Sequence, residues 1–431
     1  MKKSLYFVFT LLLLNSCSKP KETVSLNTIA EDYVKLILEI GLYDSDFVDA
    51  YYGPDEWKPT IKKLDTLPAK TLIESISKLQ SQCKQVNTEG FSNLEKARLM
   101  MFEKQLLAAK TKLEIMSGKV YSFDEEAKLI YDAEPPHFTE AHFETLLSKL
   151  NTILPGEESL YTRYNEFISQ FVIPKEKLDT VFTTAIAEAR TRTNKYIKLP
   201  KNENFVLEYV NDKSWSGYNY YQGKSQSLIQ INTDMPIYIE RAVDLACHEG
   251  YPGHHVFNAL LEQNLVEDKG WVEFSVYPLF SPQSLIAEGS ANYGIDVAFP
   301  GQERIDFEKN VLFPLAGLDI NKAETYYEVL ALMGKLNYAG NEAARKYLNG
   351  EITREECAKW LEKYSLNTPE RALQRTRFFD QYRSYVINYN LGKDLVADYI
   401  DAQGGTVEHP EKRWEIFKEL LSNPHTANSL K

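Results

Sequence analysis

Histidine and cysteine are scarce in this chain, with seven and four among 431 residues. The cysteines lie far apart, which excludes the dense disulfide framework of a small secreted domain. Basic excess is missing too. Lys and Arg number 49 against 61 Asp and Glu, a net charge of −12, which argues against a nucleic-acid partner. Beyond the first fourteen residues no apolar run is long enough to span a bilayer. Internal repeats and low-complexity linkers are absent, so no hard domain boundary is visible. Hydrophobic residues make up 43% and aromatics 12%, which excludes a disordered chain and allows a sizeable core.

The chain opens MKKSLYFVFTLLLLNSCSKP. Lys2 and Lys3 precede a short apolar run, Leu5 to Leu14, in the order of a secretory leader. The run ends Leu13-Leu14-Asn15-Ser16-Cys17, which resembles a bacterial lipobox. Residues 1–16 are then a signal peptide, Cys17 a lipid-modified first residue, and 17–25 a linker from the anchor. The alternative is an ordinary leader with an incidental cysteine. The expected location is a bacterial envelope membrane, periplasmic or surface-facing, with contact to lipid only at Cys17. Loss of Lys2 and Lys3 takes the net charge from −12 to −14. Cys83, Cys247 and Cys357 remain, as buried thiols or with one bridge among them.

The remainder reads as mainly α, with an N-terminal helical part over 26–200 and a C-terminal part over 201–431, packed as one interlocked unit. Thr28 with Glu31, Ser92 with Glu95 and Thr353 with Glu356 have capping-box spacing. The spacing of Leu99, Phe102, Leu106, Ala109, Leu113 and Met116 predicts a helix stopped by Gly118. Thr368-Pro369-Glu370 predicts a helix start, and that helix is expected to run to about Ala402. Phe205–Tyr209, Trp215–Tyr221 and Ser227–Asn232 are β-prone and separated by turn residues, so a small antiparallel sheet is expected. The last of these strands leads into a helix, with Asp234 as the expected N-cap.

That helix carries three of the seven histidines. In HEGYPGHH, His248 and Glu249 follow an apolar stretch, and His254 and His255 follow Pro252-Gly253. A buried His-Glu pair needs partners. Two His from one helix, a distant carboxylate and a Glu beside the first His form the pattern of a catalytic zinc site, with the Glu as general base. The usual spacing is i, i+4. Here His254 is at i+6, about 240° around a straight helix, and His255 at i+7 is about 10 Å further along. Neither could share a metal with His248 on a straight helix. A bulge or break at Tyr251-Pro252-Gly253 would return His254 to the i+4 position. His254 therefore ranks above His255 as second ligand, and His255 becomes a supporting or substrate-binding group. Glu288, in the apolar small-residue run Ser284 to Tyr293, is the candidate third ligand, with Glu262 as competitor. Asp244 either orients His248 or serves as an ordinary helix ion-pair partner.

HEGYPGHH followed by AEGSANY resembles the bacterial domain of unknown function 885 family, grouped with the zincin (gluzincin) metallopeptidases. DAYYGPDEW near the start and the long C-terminal helix resemble it as well. The resemblance implies a zincin-like helical fold with His248, His254 and Glu288 holding zinc and Glu249 as general base. It also implies that the strand LIQIN is an edge strand that pairs with an extended peptide. Members usually carry Pro-Gly-Gln before a Tyr-x-x-Gly. Tyr389-Asn390-Leu391-Gly392 matches the latter, but Arg383-Ser384-Tyr385 stands where Pro-Gly-Gln is expected. Tyr389 or Tyr385 would donate to the oxyanion. The expected activity is zinc-dependent hydrolysis of short peptides in the cell envelope. Two alternatives stand beside it: a non-catalytic lipoprotein that binds peptides or a partner, and a zinc amidohydrolase of non-peptide substrates.

Overall fold

The computed structural model describes residues 25–213 and 215–431. The leader and Cys17 lie outside the described residues. The fold is mainly helical, and its principal hydrophobic core runs from Leu26 to Leu430. Chain order does not divide it at residue 200. Strand β1 (Val48–Tyr51) pairs antiparallel with a short strand more than two hundred residues later. Arg98, from the N-terminal part, forks onto Glu273 with both side chains buried. Strands β2 (Asn204–Val210), β3 (Gly217–Gly223) and β4 (Gln226–Asn232) form the larger sheet. β5 (Val276–Pro278) is the partner of β1.

The larger sheet corrects one expectation. Its order is β2-β4-β3; β3 and β4 form the expected antiparallel hairpin, but β2 lies parallel to β4. The sheet is therefore mixed. β4 contains LIQIN and is central, hydrogen-bonded on both sides, so it is not an edge strand. The free edge nearest the histidine helix belongs to β3.

Two of the three expected capping boxes form, at Ser92 and Thr353. At the first helix the cap moves back to Ser25, whose hydroxyl accepts from the Thr28 amide. Asp234 caps no helix. Its carboxylate accepts from the Asn211 side chain and the Asp212 amide, closing the turn after β2, and the helix starts at Glu240. The helix begun by Thr368 does not run to Ala402 unbroken. It spans Pro369–Tyr382, breaks at Arg383 with φ 52°, and resumes over Ile387–Ala402. Glu126 holds the break, accepting from Arg383 Nε at 2.6 Å, from the Ser384 amide at 3.1 Å and from its hydroxyl at 2.6 Å. Cys83, Cys247 and Cys357 are all buried free thiols.

The helix Pro282–Ala298 runs through the core and crosses Ile387–Ala402 at a Gly-Gly contact. A Cβ on Gly289 would lie 2.4 Å from the Gly392 backbone, and one on Gly392 would lie 2.7 Å from the Leu285 carbonyl oxygen. Backbone faces backbone there, so neither side can yield. Gly289→Val is expected to lower unfolding stability by about 1–3 kcal/mol or more, because overpacking at a rigid contact cannot relax. Urea unfolding compared with an exposed Gly334→Ala control checks it.

Candidate metal centre

The apolar face of Glu240–Leu245 is buried, and the next turn is wider than an α-helix. Over Ala246–Gly250 the backbone is π-helical. The Tyr251 amide donates to the Ala246 carbonyl at 2.9 Å, and the Gly253 amide reaches back to Cys247 at 2.8 Å. A regular helix then restarts at His254. The wide turn absorbs the two surplus residues, as the i+6 spacing requires. His254 Nε2 ends 3.2 Å from His248 Nε2. Gly253 is obligatory in this turn, since a Cβ would lie 2.0 Å from the His248 carbonyl oxygen. Gly294 leaves room for Pro252, whose ring would lie 3.2 Å from a Cβ there.

Glu288 comes from Pro282–Ala298. Its Oε2 lies 3.3 Å from His248 Nε2 and 3.7 Å from His254 Nε2. The three atoms form a triangle with edges of 3.2, 3.3 and 3.7 Å. Tetrahedral zinc with bonds of 2.0–2.1 Å separates its ligand atoms by about 3.3–3.4 Å. Glu288 Oε2 is buried and, among the described residues, accepts no hydrogen bond. Two imidazole nitrogens and a bare carboxylate oxygen, facing one another out of water, suit a cation. Electrostatics agree in direction. Burial alone would lower the His254 pKa, but the facing Glu288 carboxylate first, then the charges of Glu249 and Asp49, push it up to about 9. Burial would raise Glu288, but His248 and His254 hold it well below the usual carboxylate range.

Two groups aim the ligands. Tyr385 OH donates to Glu288 Oε1 at 2.7 Å, leaving Oε2 for the centre. Asn292 Oδ1 lies 3.2 Å from His248 Nδ1 and its Nδ2 donates to the Tyr389 carbonyl at 3.1 Å. The amide orientation makes Nδ1 the donor and turns the Nε2 lone pair inward. Asn292 was missed from sequence. The signal was there: it follows Glu288 by four residues, on one helix face.

Glu249 is buried, and its carboxylate lies within 4.8 Å of the ligand atoms of His248 and His254. Oε1 sits 3.2 Å from where a Gly217 Cβ would stand, under the start of β3. Asn219 Nδ2 fixes the same turn by donating to the Glu249 carbonyl at 2.6 Å. Among the described residues nothing donates to the Glu249 carboxylate. Tyr389 is half-buried with its hydroxyl unpartnered among the described residues. Burial first, then the charge of Glu288, raises its pKa well above 10, so the phenol keeps its proton.

Three candidates leave the site. His255 is fully buried and turned away, with Nδ1 2.8 Å from Ser227 Oγ and Nε2 3.0 Å from Glu203 Oε2. Both its ring nitrogens are taken, so it braces the turn from outside the His248–His254–Glu288 triangle. Glu262 is spent on the β3–β4 turn, where it accepts from Tyr221 OH and the amides of Lys224 and Ser225. Asp244 pairs with Arg241 and Arg304, not with His248.

No family model matches the chain, and no curated protein matches it. Solved structures do. One, described as "the putative lipoprotein from Colwellia psychrerythraea", is similar with a TM-score of 0.51 at 14% identity. The match covers 83% of this chain and 65% of that one. At this identity the likeness shows a shared fold alone.

Asn292→Ala is expected to weaken zinc binding by about 10- to 100-fold while the fold persists; competition with a fluorescent chelator measures it. A second prediction concerns acid stability. Burial would raise the Glu203 pKa, but His255, Tyr251 and Arg190 hold it down at about 2, below its ordinary 4.5. Its contribution is present above pH 4.5 and lost as pH falls towards about 2. Glu203→Gln should therefore lower the urea midpoint at neutral pH and flatten its fall across that acid window.

Proposed function

We propose that the chain is a zinc-dependent peptidase acting on short peptides, with zinc held by His248, His254 and Glu288. The observation that carries this reading is the ligand triangle closed around the bare Glu288 oxygen. The resemblance of HEGYPGHH and AEGSANY to zincin-like metallopeptidases supports it. The i+6 histidine spacing is the one feature favouring a non-catalytic binder; the π turn that sets His254 beside His248 supports the catalytic reading.

Zinc at such a site supplies a Lewis acid and a water whose pKa falls from 15.7 to about 7. The rest is done by the chain. Glu249, whose carboxylate has no donor among the described residues, takes a proton from the attacking water and returns it to the leaving amine. Tyr389 keeps its proton and donates to the oxyanion that develops on the substrate carbonyl. Tyr385 stays on Glu288 and positions it. The free edge of β3, beside Glu249, can pair with an extended backbone, a role the sequence reading had given to β4.

We also propose export and lipid anchoring at Cys17. The leader and lipobox pattern support this, and the Colwellia neighbour is itself described as a lipoprotein. No helix among the described residues is long and apolar enough to cross a membrane.

Purified protein is expected to carry one zinc per chain and to cleave a peptide library until a chelator is added. Product masses separate a peptidase from a hydrolase of other amides. Glu249→Gln should cut turnover by about 10²- to 10⁴-fold or more and keep metal; His248→Ala should lose both. A metal-free, inactive wild type would end this reading.

A further inference from the structure

The cleft before Glu249 has two walls. One is the free edge of β3. At its start Arg241 donates to Ser216 Oγ at 3.3 Å, and further along Tyr218 OH donates to Asp49 on β1. The other wall is the helix Pro369–Tyr382. Arg371, Arg375, Phe378 and Tyr382 step by four, three and four along it and share one face. Its C-terminal end meets the acidic loop before β1, where Gln381 donates to Asp46 Oδ2 at 2.6 Å. Tyr382 there has its pKa pushed up to about 12 by burial and by Asp46 and Asp49. Its N-terminal end is basic: Arg371 lies in the field of Arg241. The helix thus carries its arginines towards its N-terminal end and meets the carboxylates of Asp46 and Asp49 at its C-terminal end.

Arg371 and Arg375 are the unusual members. Arg375 is half-buried, with its guanidinium over Phe378 at 4.7 Å and Phe379 at 5.3 Å. Among the described residues it has no carboxylate and no hydrogen-bond acceptor. Among the described residues the Arg371 side chain reaches only the neutral Gln374 side chain, at 2.6 Å. Burial first, then Arg371, pushes Arg375 down to about 10. Most other withdrawn arginines in this protein are paired: Arg98 with Glu273, Arg304 with Asp244 and Glu308, Arg345 with Glu342. Two adjacent guanidiniums drawn from water without an anion are costly. Their planar forks match a carboxylate. The pair also lies towards the centre, since Tyr389 feels the Arg375 charge and its ring is 5.8 Å from that of Tyr385, the holder of Glu288.

We propose that Arg371 and Arg375 form the subsite for the free C-terminal carboxylate of a short peptide lying along β3 with its amino end towards Asp49. This rests on the peptidase reading. The helix rise puts Arg371 about 16 Å and Arg375 about 10 Å from Tyr382. Extended chain covers about 3.3 Å per residue, so about three to five extended residues span the distance from Tyr382 to the arginines. The acidic end repels a second carboxylate and receives an ammonium, which fixes the direction.

The test uses zinc-loaded Glu249→Gln protein and calorimetry with tri-alanine as free acid and as C-terminal amide. The acid is expected to bind about 10- to 100-fold more tightly, the scale of a hydrogen-bonded charge. Arg375→Gln should abolish that preference and Arg375→Lys restore part of it, with unchanged circular dichroism; Arg371→Gln is the second variant. Equal binding of acid and amide, or binding of neither, overturns the subsite. Library cleavage by wild type is scored separately. Cleavage without acid preference sinks the subsite alone, whereas acid preference without any cleavage sinks the peptidase reading alone.

Discussion

The close approach of the Pro282–Ala298 helix to its two neighbours is the constraint on which the site depends. On one side Gly289 lies backbone to backbone against Gly392. On the other Gly294 admits Pro252 from the histidine turn. The glutamate and the two histidines can meet only if both gaps close. With any side chain at Gly289 the helix would ride outwards and carry Glu288 with it. The glycines therefore set a distance. The core around them is otherwise ordinary close packing of apolar side chains.

The histidine turn is braced from behind by polar groups that never reach the cleft. Glu203 takes Arg190, Tyr251 and His255 at once, and His255 also meets Ser227 of β4. Both ends of Tyr251-Pro252-Gly253 are thereby tied to the strand side of the molecule. A buried carboxylate with three donors is satisfied and rigid. Glu288 has one donor and one bare oxygen. Two buried glutamates of similar exposure thus differ in their unmet valence, and that difference separates scaffold from site.

Much of this was legible in the chain. The capping boxes at Ser92 and Thr353, the turn residues around the strands, and the mismatch between i+6 spacing and a straight helix are local features with local causes. The mismatch even located the wide turn. Glu288 was readable because a carboxylate among Ala, Gly and Ser on an apolar helix has no cheap way to be buried. What was not legible depends on distant partners. Nothing near Arg383 marks a helix break; Glu126, some 250 residues earlier, makes it. The parallel placement of β2 is made by its pairing with β4, a partner that its own alternation does not name. His255 and His254 are indistinguishable by type and neighbourhood, and only Ser227 and Glu203 decide which one turns away.

Tyr385 and Glu288 are 97 residues apart, and Asp46 and Asp49, at the acidic end, come from the first fifty residues. The ligand residues lie together in the middle of the chain, whereas what aims and encloses them arrives from both ends. Loop closure over such spans is entropically late. A chain emerging in order thus carries two histidines and a glutamate well before the tyrosine that orients the glutamate. Competence is then a property of the finished fold, and a fragment ending before Tyr385 holds the ligands without their aim.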